Sequence, residues 1–389
     1  MAAAEDKRVY RRSLGLLELV SLGVGGTIGS GIFVVPGIAA GIAGPSSLLA
    51  WVVVAASATC VALSLARIQA QSPSGTHFTA VFASFFGRGA SAAIVALYLV
   101  SCVFGVATIA AGLGQYFSFF AISHVLLAEL AVLAVFLGVN VVGIGLSGQT
   151  ENVLTAIKVV SLVAIAAALA PFIRSENLVA HEVASLPDLL RVAIIVYWPF
   201  TGFEISAIPV EETRDPTRIS RALVLVMVLV CSIYVALNLS LLGAVGSTEL
   251  ASSPAPVAYA AGRVFAGAAP VVAVVGIITM LSALNAYIVG ASRVLQNLAA
   301  TYRLRPLAAL SERGTPTASL GAVCGLSATL LLFSNRFDTL ASASVVANLV
   351  PYVAICVVAF AAVKARAARA IAAVGAVLTT AILALYLTS

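Results

Sequence analysis

The chain is poor in charge. Asp, Glu, Lys and Arg together make up 9% of its 389 residues, whereas a soluble domain carries roughly 25%, so there is too little ionised surface to keep an ordinary globule in water. It is also poor in histidine. The three present, His77, His124 and His181, all lie outside the centres of apolar runs. The five cysteines, Cys60, Cys102, Cys231, Cys324 and Cys356, sit inside apolar stretches and form no Cys-x-x-Cys, which reads as core or lipid-facing packing and not as a disulfide or metal framework. No two acids recur at a metal-ligand spacing. An intramembrane enzyme needs convergent His, Asp or Cys groups, so the chain is read as a non-enzyme with no cofactor. A repeated filter loop or charged ring, as a channel would need, is missing too. The N-terminal MAAAEDKRVYRRS has no signal-peptide cleavage pattern, and the apolar run behind it is too long for an h-region.

What is there is apolar sequence in long runs. Hydrophobic residues make up 61% of the chain and mean hydropathy is +1.11. Windows of about 20 uncharged residues are long enough to cross a hydrocarbon core roughly 30 Å thick. The pattern predicts an all-α integral membrane protein of about eleven transmembrane helices, near 14–40, 46–68, 89–118, 124–143, 149–172, 189–211, 219–246, 267–299, 317–334, 339–363 and 367–388. Residues 75–87 are amphipathic and are expected to lie along the interface. The net charge of +6 is scattered over short loops, which is a topology signal and not a nucleic-acid patch. With the N-terminus inside, 16 of the 21 Lys and Arg fall on cytoplasmic segments and four on outer ones. Residues 1–13 are therefore expected to form a cytoplasmic tail, and the C-terminus of an eleventh helix in 364–389 to lie outside the cell membrane.

Two helices cannot be continuous on their own chemistry. The first contains GVGGTIGSGIFVVPG, and each interior glycine costs about 1 kcal/mol of helix propensity relative to alanine. Small residues for close helix packing would explain glycines on one face, but Gly29-Ser30-Gly31 is contiguous, so a break is expected there. The sixth contains VYWPFTGFEISAIPVEETRDP. Pro199 removes a backbone donor and disfavours helix at Trp198, Gly202 follows, and Glu204 lies at membrane depth, where an acid is a functional candidate by default. The two breaks are five spans apart. That is the pointer to an inverted-repeat transporter, with one five-helix repeat in 14–172 and another in 189–363. Freed amides at the first break can hold a carboxylate and freed carbonyls at the second can accept from an ammonium, a pairing that fits an amino acid.

GGTIGSGIF in helix 1 and GFEISAIPVEETRDPTRISRA around the end of helix 6, with ASRVL at 291–295 as a weaker match, resemble the amino acid–polyamine–organocation superfamily of transporters. The resemblance spans about 14–363. QNLAATYRLRP follows ASRVL where relatives often carry Arg-Asp-Gly. It implies the leucine-transporter fold and alternating access around a site between helices 1, 3, 6, 8 and 10. It also implies that Gly29, Ser30 and Gly31 meet the substrate carboxylate, that Trp198, Thr201 and Gly202 supply backbone to the amino group, and that Phe200, Phe203 and Trp198 shape or gate the pocket.

Lys158, about seven residues into the fifth span, either snorkels to the cytoplasmic interface or faces the bundle and exchanges a proton. The proton-coupled branch of the superfamily carries a helix 5 lysine where sodium-coupled relatives hold the ion. That resemblance implies the Gly25 carbonyl and the Ser282 hydroxyl as its partners, and a proton gradient as the driving force in place of sodium. Glu204 is expected to join proton coupling, to recognise a cationic substrate, or to brace freed amides. Asn238, Asn285, Tyr287, Asn348 and Tyr352 are read as polar glue between helices, and Glu211, Glu212, Arg214 and Asp215 as a solvated cluster. The resulting expectation is a symporter of neutral amino acids that acts in the lipid bilayer without an obligatory accessory subunit. A cationic amino acid or polyamine exchanger, or a transport-inactive sensor, remain the alternatives.

Overall fold

The computed structural model describes residues 14–71, 78–143, 148–180, 184–207, 213–215 and 217–388. The N-terminal tail, His77, His181, Glu211 and Glu212 lie outside them.

Regular structure among the described residues is helical, apart from one isolated parallel bridge between Leu14 and Thr213. Helix α1 (Leu16–Thr27) starts at Gly15, whose N–H donates to Glu18 Oε2 at 2.9 Å. It stops at Ile28, which turns extended at φ −81° and ψ 94°. Gly29, at φ −139° and ψ −140°, is not helical either, and α2 (Ser30–Ala43) resumes behind it. Gly44, at φ +54°, ends α2 in the left-handed half of the map, and a short 3-10 turn leads into α3 (Ser47–Ala70). Leu16–Ala70 is thus a 55-residue apolar stretch, long enough at about 1.5 Å per residue to cross a bilayer twice.

Helix α4 (Phe78–Phe119) is interrupted at Gly87, φ 80° and ψ 167°. The described part of the amphipathic segment expected over 75–87, from Phe78 on, is thus a short helical arm, with Phe82 buried and Phe85 exposed, that joins the third span at one glycine; 75–77 lie outside the described residues. Helices α5 (Val125–Val142) and α6 (Gly148–Leu169) follow. Helix α7 (Leu186–Tyr197) is capped by Ser185, whose Oγ accepts from the Asp188 amide. It ends where Pro199 cannot donate to the ladder. A 3-10 turn at Trp198–Phe200, extended Thr201, Gly202 at φ +96° and a second 3-10 stretch at Phe203–Ala207 complete the sixth span. The second half of helix 6, expected as α-helix, is therefore 3-10 as far as it is described.

Helix α8 (Arg218–Val245) leads to the short α9 (Ser247–Ala251) and α10 (Pro256–Val264), then to α11 (Ala268–Thr301), α12 (Arg305–Ala308), α13 (Thr317–Phe333), α14 (Phe337–Ala362) and α15 (Arg366–Thr388). Nine stretches among the described residues are long and apolar enough to cross a membrane, and Thr317–Phe333 is a shorter apolar helix. With the first stretch long enough for two crossings, each of the eleven expected segments coincides with one of these elements. The buried core is continuous through all the long helices, and α14 packs along both α4 and α15.

Candidate functional site

The two interruptions abut. A Cβ placed on Gly202 would lie 2.6 Å from the Gly26 carbonyl oxygen, and one on Gly31 would lie 2.7 Å from Pro199 Cα. Backbone thus meets backbone at both contacts, and no side chain larger than hydrogen fits without moving the chain. Gly202 needs glycine for its positive φ as well. On the opposite side, Gly112 of α4 approaches Ser30, whose Cβ would stand 2.6 Å from an added methyl.

Around this junction the expected residues gather, all of them buried. The Trp198 indole donates to Ser30 Oγ at 3.3 Å, and its ring packs against Tyr287 at 5.7 Å. The Trp198 carbonyl already accepts two bonds from Thr201, from its amide at 3.1 Å and its hydroxyl at 2.8 Å. An ammonium arriving there has to displace one of them. Phe200 turns to a different group and packs against Trp51 and Tyr234 at 5.8 and 5.2 Å. Phe203 packs on Tyr352 at 5.4 Å. Gly29 sits tight against Ala283 of α11.

Lys158 is 1% exposed on α6, so it does not snorkel to water. Its Nζ donates to the Gly25 carbonyl at 3.0 Å, one of the carbonyls that helix 1 releases by ending at Ile28. One turn earlier Thr155 donates to the Ser21 carbonyl at 3.1 Å, so α6 is bonded to α1 at two levels. Ser282 is buried on α11, which packs against both α1 and α6. Glu204 is buried beside the second break, where its Oε2 accepts from the Gly202 amide at 3.1 Å and from the Tyr352 hydroxyl at 2.9 Å. It therefore braces one freed amide.

Three tyrosines complete the arrangement. Tyr234 of α8 donates to the Thr27 carbonyl at 2.9 Å, Tyr287 of α11 shares a hydrogen bond with the Thr201 hydroxyl at 3.0 Å, and Tyr352 holds Glu204. Tyr287 and Tyr352 read as glue in sequence, and Tyr234 carried no sequence signal beyond being a polar group within a span. Such a hydroxyl has to find an acceptor where there is no water.

Outside the spans, two exposed elbows are electrostatically locked. Thr217 bonds Asp215 through its hydroxyl at 2.6 Å and its amide, and with Arg218 it holds that carboxyl below the usual carboxylate range. Arg263 makes two bonds to Glu249 at 2.8 and 3.2 Å, which lowers that carboxyl too. Among the described residues no cluster of three His, Cys, Asp or Glu could hold a metal ion.

Two helices broken at mid-span and facing each other inside an apolar bundle, with freed carbonyls bonded by a buried lysine and a tyrosine and a freed amide by a buried glutamate, define a membrane transporter. The chain belongs to the amino acid permease family, whose pattern matches residues 14–389. It is 32% identical over 314 residues to an uncharacterized transporter of Mycobacterium tuberculosis, a match covering 78% of this chain and 69% of that protein. It is similar to a branched-chain amino acid permease of Bacillus subtilis, at 26% identity over 72% of this chain and 66% of the relative. It is also similar to an L-methionine/branched-chain amino acid exporter of Escherichia coli, at 28% identity over 81% and 77%.

Proposed function

We propose that the chain is a proton-coupled symporter that carries neutral amino acids with apolar side chains across the plasma membrane. The observation that carries this reading is the Lys158 ammonium bonded to the Gly25 carbonyl at 3.0 Å. A fixed cation there occupies the position at which a coupling ion would neutralise the freed helix 1 carbonyls. When it loses its proton in the low-dielectric bundle, the bond that joins α6 to α1 weakens, and the protonation state becomes coupled to the position of helix 1. Glu204, braced by Tyr352 and Gly202, is the second buried ionisable group at the junction.

In this reading, Gly29, Ser30 and Gly31 receive the substrate carboxylate at the start of α2. Thr201, Gly202 and the Trp198 carbonyl receive the ammonium, and Trp198, Phe203 and Phe200 form the apolar wall. The Ser282 hydroxyl completes the lysine's site. The two five-helix halves, 14–172 and 189–363, move against each other around it, with the N-terminus in the cytoplasm. Two relatives are named for branched-chain amino acids and methionine, which favours a neutral, apolar side chain. A second reading rests on Glu204: a buried acid at the junction suits a cationic amino acid, and one relative is named a cationic amino acid transporter, from Arabidopsis thaliana.

The test is uptake into sodium-free proteoliposomes with leucine, isoleucine, valine, methionine, lysine and putrescine, with and without an inward proton gradient. Gradient-driven uptake of the neutral set is expected, and Lys158→Ala should lose the gradient response, by about tenfold or more given the worth of a charged buried hydrogen bond. Uptake that ignores the gradient and needs amino acid inside would make the chain an exchanger. No flux of any compound by folded protein would make it a sensor.

A further inference from the structure

At one end of the bundle, the last turn of α3 and the loop between α14 and α15 enclose a pocket of about 360 Å³. It is lined by Arg67, Gln71, Val363, Lys364 and the alanines on either side. Arg366 and Arg369 flank it on the first turns of α15. The Arg369 guanidinium is stacked 4.6 Å above the exposed Phe360 ring.

These four cations have no acid to answer them. No Asp or Glu occurs between Thr339 and Ser389, nor between Glu18 and Glu129. Four exposed arginines elsewhere on the described surface each have a carboxylate: Arg174 with Glu176, Arg218 with Asp215, Arg263 with Glu249 and Arg336 with Asp338. Arg303 and Arg305 are exposed without one among the described residues, and line no pocket with Arg67. Arg67, Lys364 and Arg366 make no ion pair among the described residues. They stand at the end of three apolar helices, level with the polar margin of a bilayer, on the side that the positive charge assigns to the cytoplasm. A concave site with uncompensated cations at that depth, between spans, suits a lipid phosphate, and basic pockets of this kind bind anionic headgroups. Arginine adds planar donors that match phosphate oxygens.

We propose that this corner binds the phosphate of an anionic phospholipid headgroup, held by Arg67 and Lys364 with Arg366 and Arg369 at its rim. The lipid would tie α3 to α14 and α15 from outside the transport site.

The experiment is thermal unfolding of the detergent-purified full chain titrated with short-chain phosphatidylglycerol, phosphatidylcholine of the same chain length, or inorganic phosphate. Phosphatidylglycerol alone should raise the melting temperature. Arg67→Gln with Lys364→Gln should need on the order of 25-fold more of it for the same rise, at about fivefold per cation removed. The charge-matched Arg303→Gln with Arg305→Gln, outside the pocket, should respond like the wild type. Should the double variant fail to fold, Lys364→Gln alone, in an exposed loop, should still show the fivefold loss. Equal stabilisation by phosphatidylcholine, or an unchanged response in the pocket variants, would overturn the site. A rise of the same size with inorganic phosphate would overturn its assignment to a lipid.

Discussion

Tyr352→Phe removes one of the two donors on Glu204 Oε2 and leaves a buried carboxylate short of a partner. A loss of about 1–3 kcal/mol is expected, read as a lower unfolding temperature, whereas an unchanged temperature would mean that Glu204 is not braced there. Glycines give a sharper contrast. Gly31→Ala drives a methyl into the Pro199 backbone, which cannot swing aside, so about 1–3 kcal/mol of overpacking is expected together with loss of uptake. Gly321→Ala meets nothing within 4 Å, and should be neutral or stabilising by up to about 1 kcal/mol with uptake intact. At this scale the sequence announces the residues whose presence in a membrane is costly. Lys158, Glu204 and Pro199 stand out because charge and a missing donor carry their penalty in any apolar context. The tyrosines do not stand out, because the acceptor that a hydroxyl finds depends on how each helix is rotated, which only packing decides. Local spacing is equally silent on the orientation of Phe200, which faces Trp51 and Tyr234 while Trp198, two residues away, faces Tyr287.

Among elements, α15 is fastened to the start of the helix 6 break. Ser57 of α3, Tyr197 at the end of α7 and Thr379 of α15 form a buried hydroxyl triangle with edges of 2.9, 3.0 and 3.4 Å. Thr379→Val should cost about 0.6 kcal/mol and at most about 1.7, the range of hydrogen bonds between membrane helices. Combined with Tyr197→Phe, the losses should be less than additive, and strict additivity in a double-mutant cycle would show that the triangle is not an energetic unit. The helices themselves are legible because 18 or more apolar residues have few other fates, and both breaks are legible because glycine and proline punctuate them. Two features lay beyond that logic. Phe203–Ala207 winds as 3-10 directly behind Gly202 at φ +96°, a pitch that local propensity does not signal. The arm before Gly87 stays helical, with Phe82, Phe85 and Phe86 packed together, although its composition marks only an amphipathic segment.

For the whole molecule, the distribution of cations makes a claim that labelling can settle. Thr248→Cys, exposed beyond α8, should react with a membrane-impermeant maleimide added to intact cells, and Ala365→Cys, exposed between α14 and α15, should react only after permeabilisation. The opposite pattern would invert the topology. The lone bridge between Leu14 and Thr213, with the Arg214 amide donating to the Leu14 carbonyl at 2.9 Å, joins the entry of α1 to the chain just beyond the sixth span. It can persist only while those two segments stay together. Its amide proton is consequently a built-in clock: if the proposed cycle parts these two segments, it should exchange slowly in deuterium while they are joined and faster the more often they separate. The rhythm of the cycle, and its change of tempo when an amino acid is added, could be timed at a single peptide with no label attached.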